Sequence, residues 1–161
     1  MQDESWYLHI EDDSIEQGDL FLNVQIVLPR YSSRERNHYE LNADSFFCNI
    51  IILTQTCDIA QAKVDTILAC PHQPIAQNDG KYFIDEVKTG KRLRYLWLKG
   101  LNDDKANMTD RLVDLSRVFL LPKNYILDLA IEQKNRLRLR SPFREHFSHS
   151  FAHFISRVAL P

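Results

Sequence analysis

The chain has 161 residues, 44% of them hydrophobic, and a formal net charge of −2, enough for one domain with a substantial core and too few for two. Its first 25 residues carry no basic apolar leader, and no apolar run approaches the roughly 18 residues that cross a bilayer, so a cytoplasmic protein with no membrane partner is expected. The four glycines, Gly18, Gly80, Gly90 and Gly100, lie too far apart for a Walker loop or a dinucleotide-binding fingerprint; no nucleotide cofactor is expected.

Residues 1–29 hold seven acids and no Lys or Arg, whereas residues 134–157 hold six Lys or Arg against Glu145 alone. Such a basic end either attracts phosphate or pairs with the acidic end when the two meet in the fold. Cys48, Cys57 and Cys70 form an odd set with no close pair, which argues for reduced thiols and against a disulfide framework.

After the acidic leader, Leu20, Leu22, Val24, Ile26 and Leu28 alternate with more polar neighbours, the period of a half-buried strand ended by Pro29. Residues 31–42 are polar and read as an exposed loop. Residues 46–53 form an apolar strand that stops abruptly at Thr54, Gln55, Thr56, Cys57 and Asp58. A further strand spans 64–70 and is stopped by Pro71, and a loop covers 71–80. Residues 82–87 and 92–98 flank Lys88, Thr89, Gly90 and Lys91, which suggests a β-hairpin. A polar loop at 102–110 leads into an extended piece over 111–121.

The pattern then becomes helical. Ile126, Leu129 and Ala130 share one face of a helix within 123–133. Ser141 as N-cap, Pro142 in the first position and Glu145 in the first turn begin a last helix running from 142 to 157. The expected architecture is mainly β: an antiparallel barrel with helices added at the C-terminal end, one domain over 1–161 with a barrel core at 16–121 and a helical extension at 122–161.

Three constellations carry candidate chemistry. Cys57 and Asp58 end a rigid strand where side chains reach solvent, as a catalytic or binding pair, or as a packed thiol beside a turn-forming acid. On the last helix Phe147, Phe151, Phe154 and Val158 form an apolar stripe, and His146, His149, Ser150, His153 and Arg157 form a second beside it. His149 and His153 are candidates for acid–base chemistry because histidine titrates near neutral pH. Arg136, Arg138 and Arg140 alternate with Leu137 and Leu139, which on an edge strand would present three guanidinium groups on one side; with Arg144 and Arg157 they form a candidate phosphate-binding surface. Cys57, Cys70 and His72 lack the paired spacing of a zinc site, and no bound metal is expected.

Gly18-Asp19-Leu20 opening a strand, the apolar strand ending in LTQTCD, the strand closing on Ala69-Cys70-Pro71, and Leu112-Val113-Asp114-Leu115 ahead of a helix together resemble the PemK/MazF group. The likeness spans about residues 16 to 130. These are small SH3-like barrels known as bacterial toxins that cleave RNA without metal. Where members carry Arg-Pro at the second strand and Thr or Ser after the third, this chain has Asp44-Ser45-Phe46-Phe47 and Cys70-Pro71-His72. The resemblance implies an SH3-like barrel from a toxin- or defence-type system that binds RNA. Metal-free cleavage would require a general base and a cation, and the residues of this chain offer Asp58 or a helix histidine for the first and Arg138 or Arg140 for the second. The alternatives are a non-catalytic module that binds another protein or a second copy of the chain, and a cysteine- or metal-dependent hydrolase centred on Cys57.

Overall fold

A computed structural model describes residues 5–35 and 38–157. The elements in order are β1 (Tyr7–Ile10), β2 (Asp19–Glu35), β3 (His38–Ile52), α1 (Thr56–Ala60), β4 (Thr66–Pro74), α2 (Lys81–Lys88), β5 (Tyr95–Leu98), β6 (Leu101–Asn102), β7 (Asn107–Met108), β8 (Arg111–Asp114), β9 (Phe119–Pro122), α3 (Lys123–Glu132), β10 (Arg136–Leu139) and α4 (Phe143–Ser156). Eight strands form one antiparallel sheet in the order β1-β10-β2-β3-β4-β8-β5, with β9 also on β4, and β6 and β7 form a separate small hairpin. The sheet is open, with β1 and β5 as its ends, so the mainly β character holds while the described strands do not close into a barrel.

The apolar run in β3 explains why. Successive residues point to opposite faces of a strand, and here both faces are covered. Ile50 and Ile52 join Phe21, Val24, Ile26, Ile67 and Phe119 in one core, capped by Ile126, Leu129 and Ala130 of α3. Ile51 and Leu53 join Leu20, Cys70, Leu98, Val113, Leu137 and Leu139 in a second core, capped by Phe147 of α4. A continuously apolar strand marks a sheet buried on both sides, and the molecule is a helix–sheet–helix sandwich.

β2 changes sides. Leu20 faces the second core while Val24 and Ile26 face the first, because a bulge between Phe21 and Val24 inserts an extra residue, with Asn23 at φ 51°. The side-chain amide of Gln133 ties down this bulge: its Oε1 accepts from the Leu22 N–H at 2.9 Å and its Nε2 donates to the Leu22 carbonyl at 2.8 Å. Leu22 is left half exposed, which the expected single-face alternation of residues 20–28 did not allow for.

Four local expectations change. Residues 31–42 are the outer part of the β2–β3 hairpin, with Tyr31 opposite Leu41 and Ser33 opposite Glu40; polar residues read as a loop when both faces of a strand are wet. Pro71 lies inside β4, which continues to Pro74. Residues 81–88 are helix, with Phe83, Ile84 and Val87 on the inner side. The glycine read as a hairpin turn closes that helix: Gly90 at φ 72° donates to the Val87 carbonyl, and Lys91 donates to the Glu86 carbonyl at 2.8 Å, the paired bonds of a Schellman cap. Finally, the segment after residue 121 contributes a strand between β1 and β10's other neighbour β2, as well as two helices. Gly18 makes that insertion possible: at φ 86° it passes β10 so closely that a Cβ would stand 3.0 Å from that of Leu139. No helix among the described residues is long and apolar enough to cross a membrane.

Candidate functional site

The end of β3 is a tied corner. The Thr54 N–H donates to the Leu68 carbonyl at 3.3 Å, and the Thr54 hydroxyl accepts from the Leu68 N–H at 2.7 Å. The Thr56 hydroxyl accepts from the Gln17 N–H, and Gln17 Nε2 donates to the Leu53 carbonyl at 2.7 Å. Cys57 follows in α1, exposed, with its Sγ 3.6 Å from Gln55 Oε1 and 3.8 Å from Asp58 Oδ1. Both contacts are to oxygen acceptors, an amide and a carboxylate. Asp58 lines a cleft of about 520 Å³ with Thr54, Val64, Leu68, Ser148 and Phe151. The other cysteines are inert in their surroundings: burial pushes the Cys70 thiol up to about 12 and raises that of Cys48.

α4 divides the candidates. Phe147 is fully buried, and Phe151 and Phe154 are half buried against the second core; Val158 of the same stripe lies outside the described residues. Ser148, Phe151 and Ala152 on one flank meet the Asp58 cleft. His146, His149 and His153 on the other flank line a separate cleft of about 380 Å³ with Trp6, Lys88, Arg92 and Trp97. The His149 and His153 rings stand 6.5 Å apart. Asp58 and the two histidines, offered as alternative bases, therefore line clefts on opposite flanks of α4, and among the described contacts of Cys57 and Asp58 there is none to His149 or His153.

The arginine stripe is rearranged most. Arg136 and Arg138 do share one face of β10, but β10 lies between β1 and β2 instead of at an edge. Both residues are 5% exposed, and Asp19, opposite Arg138, is fully buried between them. Arg136 Nε donates to Asp19 Oδ2 at 3.3 Å; Arg138 donates to Asp19 through Nε and, at 3.0 Å, through Nη2. Arg138 Nη1 reaches Glu16 Oε1 at 2.7 Å, and both arginines donate to the Ser14 carbonyl. Arg144 bonds Glu16 and Glu145, and the Arg157 guanidinium stands 4.3 Å from the Phe154 ring centroid. Arg140 is half buried at the strand end, its N–H donating to the Trp6 carbonyl. The acidic and basic ends of the chain have met, and the guanidinium groups of Arg136 and Arg138 are held by protein instead of being offered to phosphate.

The metal ligands considered from sequence do not converge either: Cys57 is exposed on α1, while Cys70 and His72 are buried in the sheet. Among the described residues no group of three His, Cys, Asp or Glu side chains is placed to hold a metal ion.

Two surfaces were not singled out from sequence. In the histidine cleft, Lys88 Nζ lies 4.6 Å from the Trp97 ring centroid and 3.4 Å from Asp110 Oδ2, while Arg92 pairs with Glu86 at 2.6 Å. Trp6 stacks on Phe143 at 4.2 Å and meets Trp97 edge-on at 5.1 Å. These groups come from three distant segments, so local spacing carried no signal. The second surface is the arm formed by the outer β2–β3 hairpin. Phe47, Val27, Tyr31 and Leu41 are 60%, 59%, 55% and 67% exposed. Their register places them on one face: Phe47 opposite Gln25, Val27 opposite Ser45, Tyr31 opposite Leu41, with Pro29 opposite Ala43 between. This is the face opposite to the one that carries Ile26 and Phe46 into the first core. Alternation over residues 25–31 and 41–47 was the available signal.

No family model matches this sequence, and no curated protein matches it. The PemK/MazF likeness therefore rests on its short motifs alone.

Proposed function

We propose that this chain is a non-catalytic interaction module that pairs with a second copy of itself through the β2–β3 arm. The observation that carries the reading is the reversal of the apolar face along the hairpin. Inside the body the apolar side chains point to the first core; on the arm that face carries Asp44, Arg30 and Asn42 with one apolar residue, Leu28, and Arg30 and Asp44 pair at 3.5 Å. The larger apolar set, Val27, Tyr31, Leu41 and Phe47, lies on the other face, where each is more than half exposed among the described residues.

An isolated two-stranded ribbon is marginal in water, and four large apolar side chains in a row form an association surface. The stripe from Gln25 and Phe47 to Tyr31 and Leu41 carries no charged residue, so a twofold axis would bring together no like charges. Its polar members are already satisfied, Gln25 Nε2 donating to Ser45 Oγ at 2.7 Å. Light scattering on the purified chain at about 100 µM should give twice the monomer mass, and Leu41→Asp with Phe47→Asp should return it to monomer with its fold intact. A monomeric wild-type chain at that concentration would remove this reading.

A second reading keeps RNA as a partner, as the PemK/MazF likeness implies for a bacterial toxin- or defence-type system, and moves it to the histidine cleft. Aromatic side chains interleaved with cations suit single-stranded nucleic acid, and Trp6, Tyr95 and Trp97 here accompany Lys88, Arg92 and three histidines. It predicts RNA binding that weakens with salt and whose salt slope falls in the Lys88→Ala, His149→Ala, His153→Ala variant. Unchanged binding in that variant would exclude the cleft.

A further inference from the structure

Arg111 is a cation without a counter-charge among the described residues. It opens β8 between Pro74 and Leu98, facing the second core. Its Nε and Nη1 atoms are buried and have no hydrogen-bond partner among the described residues. The acids nearby are committed elsewhere. Asp110 Oδ1 accepts from the Gly100 N–H at 2.8 Å, and its Oδ2 accepts from Trp97 Nε1 at 2.9 Å and pairs with Lys88. Asp19 is held by Arg136 and Arg138. Tyr7, which also lies beside Arg111, donates its hydroxyl to the Lys99 carbonyl at 2.6 Å, and burial raises its phenol so far that it stays neutral. His72, two ladder positions away, is neutral as well.

An uncompensated guanidinium in an apolar setting is costly unless something pairs with it. Arg111 lines a cavity of about 460 Å³, within the roughly 300–1,000 Å³ of small-molecule sites. Leu20, Met108 and Leu137 give it buried apolar walls, and the exposed Lys134 stands at its opening. Leu22 and Gln133, tied to each other at the β2 bulge, also line the cavity. We infer that this cavity is a binding site for a small organic anion, a carboxylate or phosphate ester with an apolar body, whose charge meets Arg111 and Lys134 while its body lies against Leu20, Met108 and Leu137.

The test is calorimetric titration of the full chain with phenyl phosphate, benzoate, phenol and inorganic phosphate. Saturable binding of one equivalent of phenyl phosphate or benzoate is expected, with phenol and inorganic phosphate each at least about tenfold weaker, since one loses the charge-assisted bonds and the other the apolar burial. Phenyl phosphate binding tighter than benzoate would assign a phosphate ester, and the reverse a carboxylate. Arg111→Met should weaken the preferred anion roughly ten- to hundredfold while keeping or raising the melting temperature, because it removes a buried unpaired charge. Leu22→Trp, at a half-exposed side chain, should block the opening without touching either core. Binding of phenol or inorganic phosphate as tight as the anions, no saturation by about 10 mM of either anion, or undiminished binding in the folded Arg111→Met or Leu22→Trp chain would overturn the inference.

Discussion

Replacing Asp19 by Ala should be among the most destabilising single changes in the molecule. The Asp19 carboxylate is fully buried and accepts from Arg136 Nε, Arg138 Nε and Nη2, and the Glu16 N–H. Its removal leaves the buried Arg136 guanidinium without a carboxylate partner and leaves Arg138 with the part-exposed Glu16 alone. Breaking a buried pair from one side costs about 3–5 kcal/mol. At about 2–4 °C of melting temperature per kcal/mol for a chain of this size, that is a fall of roughly 6–20 °C. The neighbouring Glu16, whose side chain is 31% exposed where it meets Arg138 and Arg144, provides the contrast: Glu16→Gln should cost about 1 kcal/mol or less, as half-solvated pairs do. Urea denaturation of the two variants beside the wild type measures both. A loss below about 1 kcal/mol for Asp19→Ala, or equal losses for the two, would show that the arginines find other partners and that this cluster does not hold the chain ends together.

Two further perturbations test the cores. His72 is 3% exposed, the Ile50 backbone lies beside its ring without completing a hydrogen bond, and burial with the nearby Arg111 charge lowers its pKa to about 3. Below about pH 6.5 the unfolded chain protonates this imidazole while the folded chain does not, so stability falls with pH toward 3 by up to about 1.4 kcal/mol per unit. Between pH 6.5 and 5 the His72→Leu variant should lose distinctly less stability than the wild type in denaturant titrations, and parallel curves would refute the assignment. Phe147→Ala, at the fully buried anchor of α4, should cost about 3–5 kcal/mol by the same measurement, whereas Ile155→Ala, at a side chain 58% exposed on the same helix, should stay within about 0.5 kcal/mol.

The sequence by itself determined the period of most elements and which residues share a side. The alternation of Arg136, Arg138 and Arg140 with Leu137 and Leu139 is the alternation of β10, the apolar run of residues 46–53 lies in a buried strand, and the Phe stripe of α4 faces a core. Local pattern reports orientation because it follows from backbone geometry over a few residues. It does not report neighbours. Only the tertiary structure decided that β10 is interior, which turns an exposed cationic stripe into a buried ion cluster, and that residues 50–53 are covered on both faces, which turns a barrel wall into the middle layer of a sandwich. Gly90 was ambiguous for the same reason, since a left-handed residue ends a helix as readily as it turns a hairpin. The Arg111 cavity was invisible in sequence because it is assembled from three segments, around Leu20, Met108 and Leu137, and pairing between segments far apart in the chain is settled by packing, not by spacing.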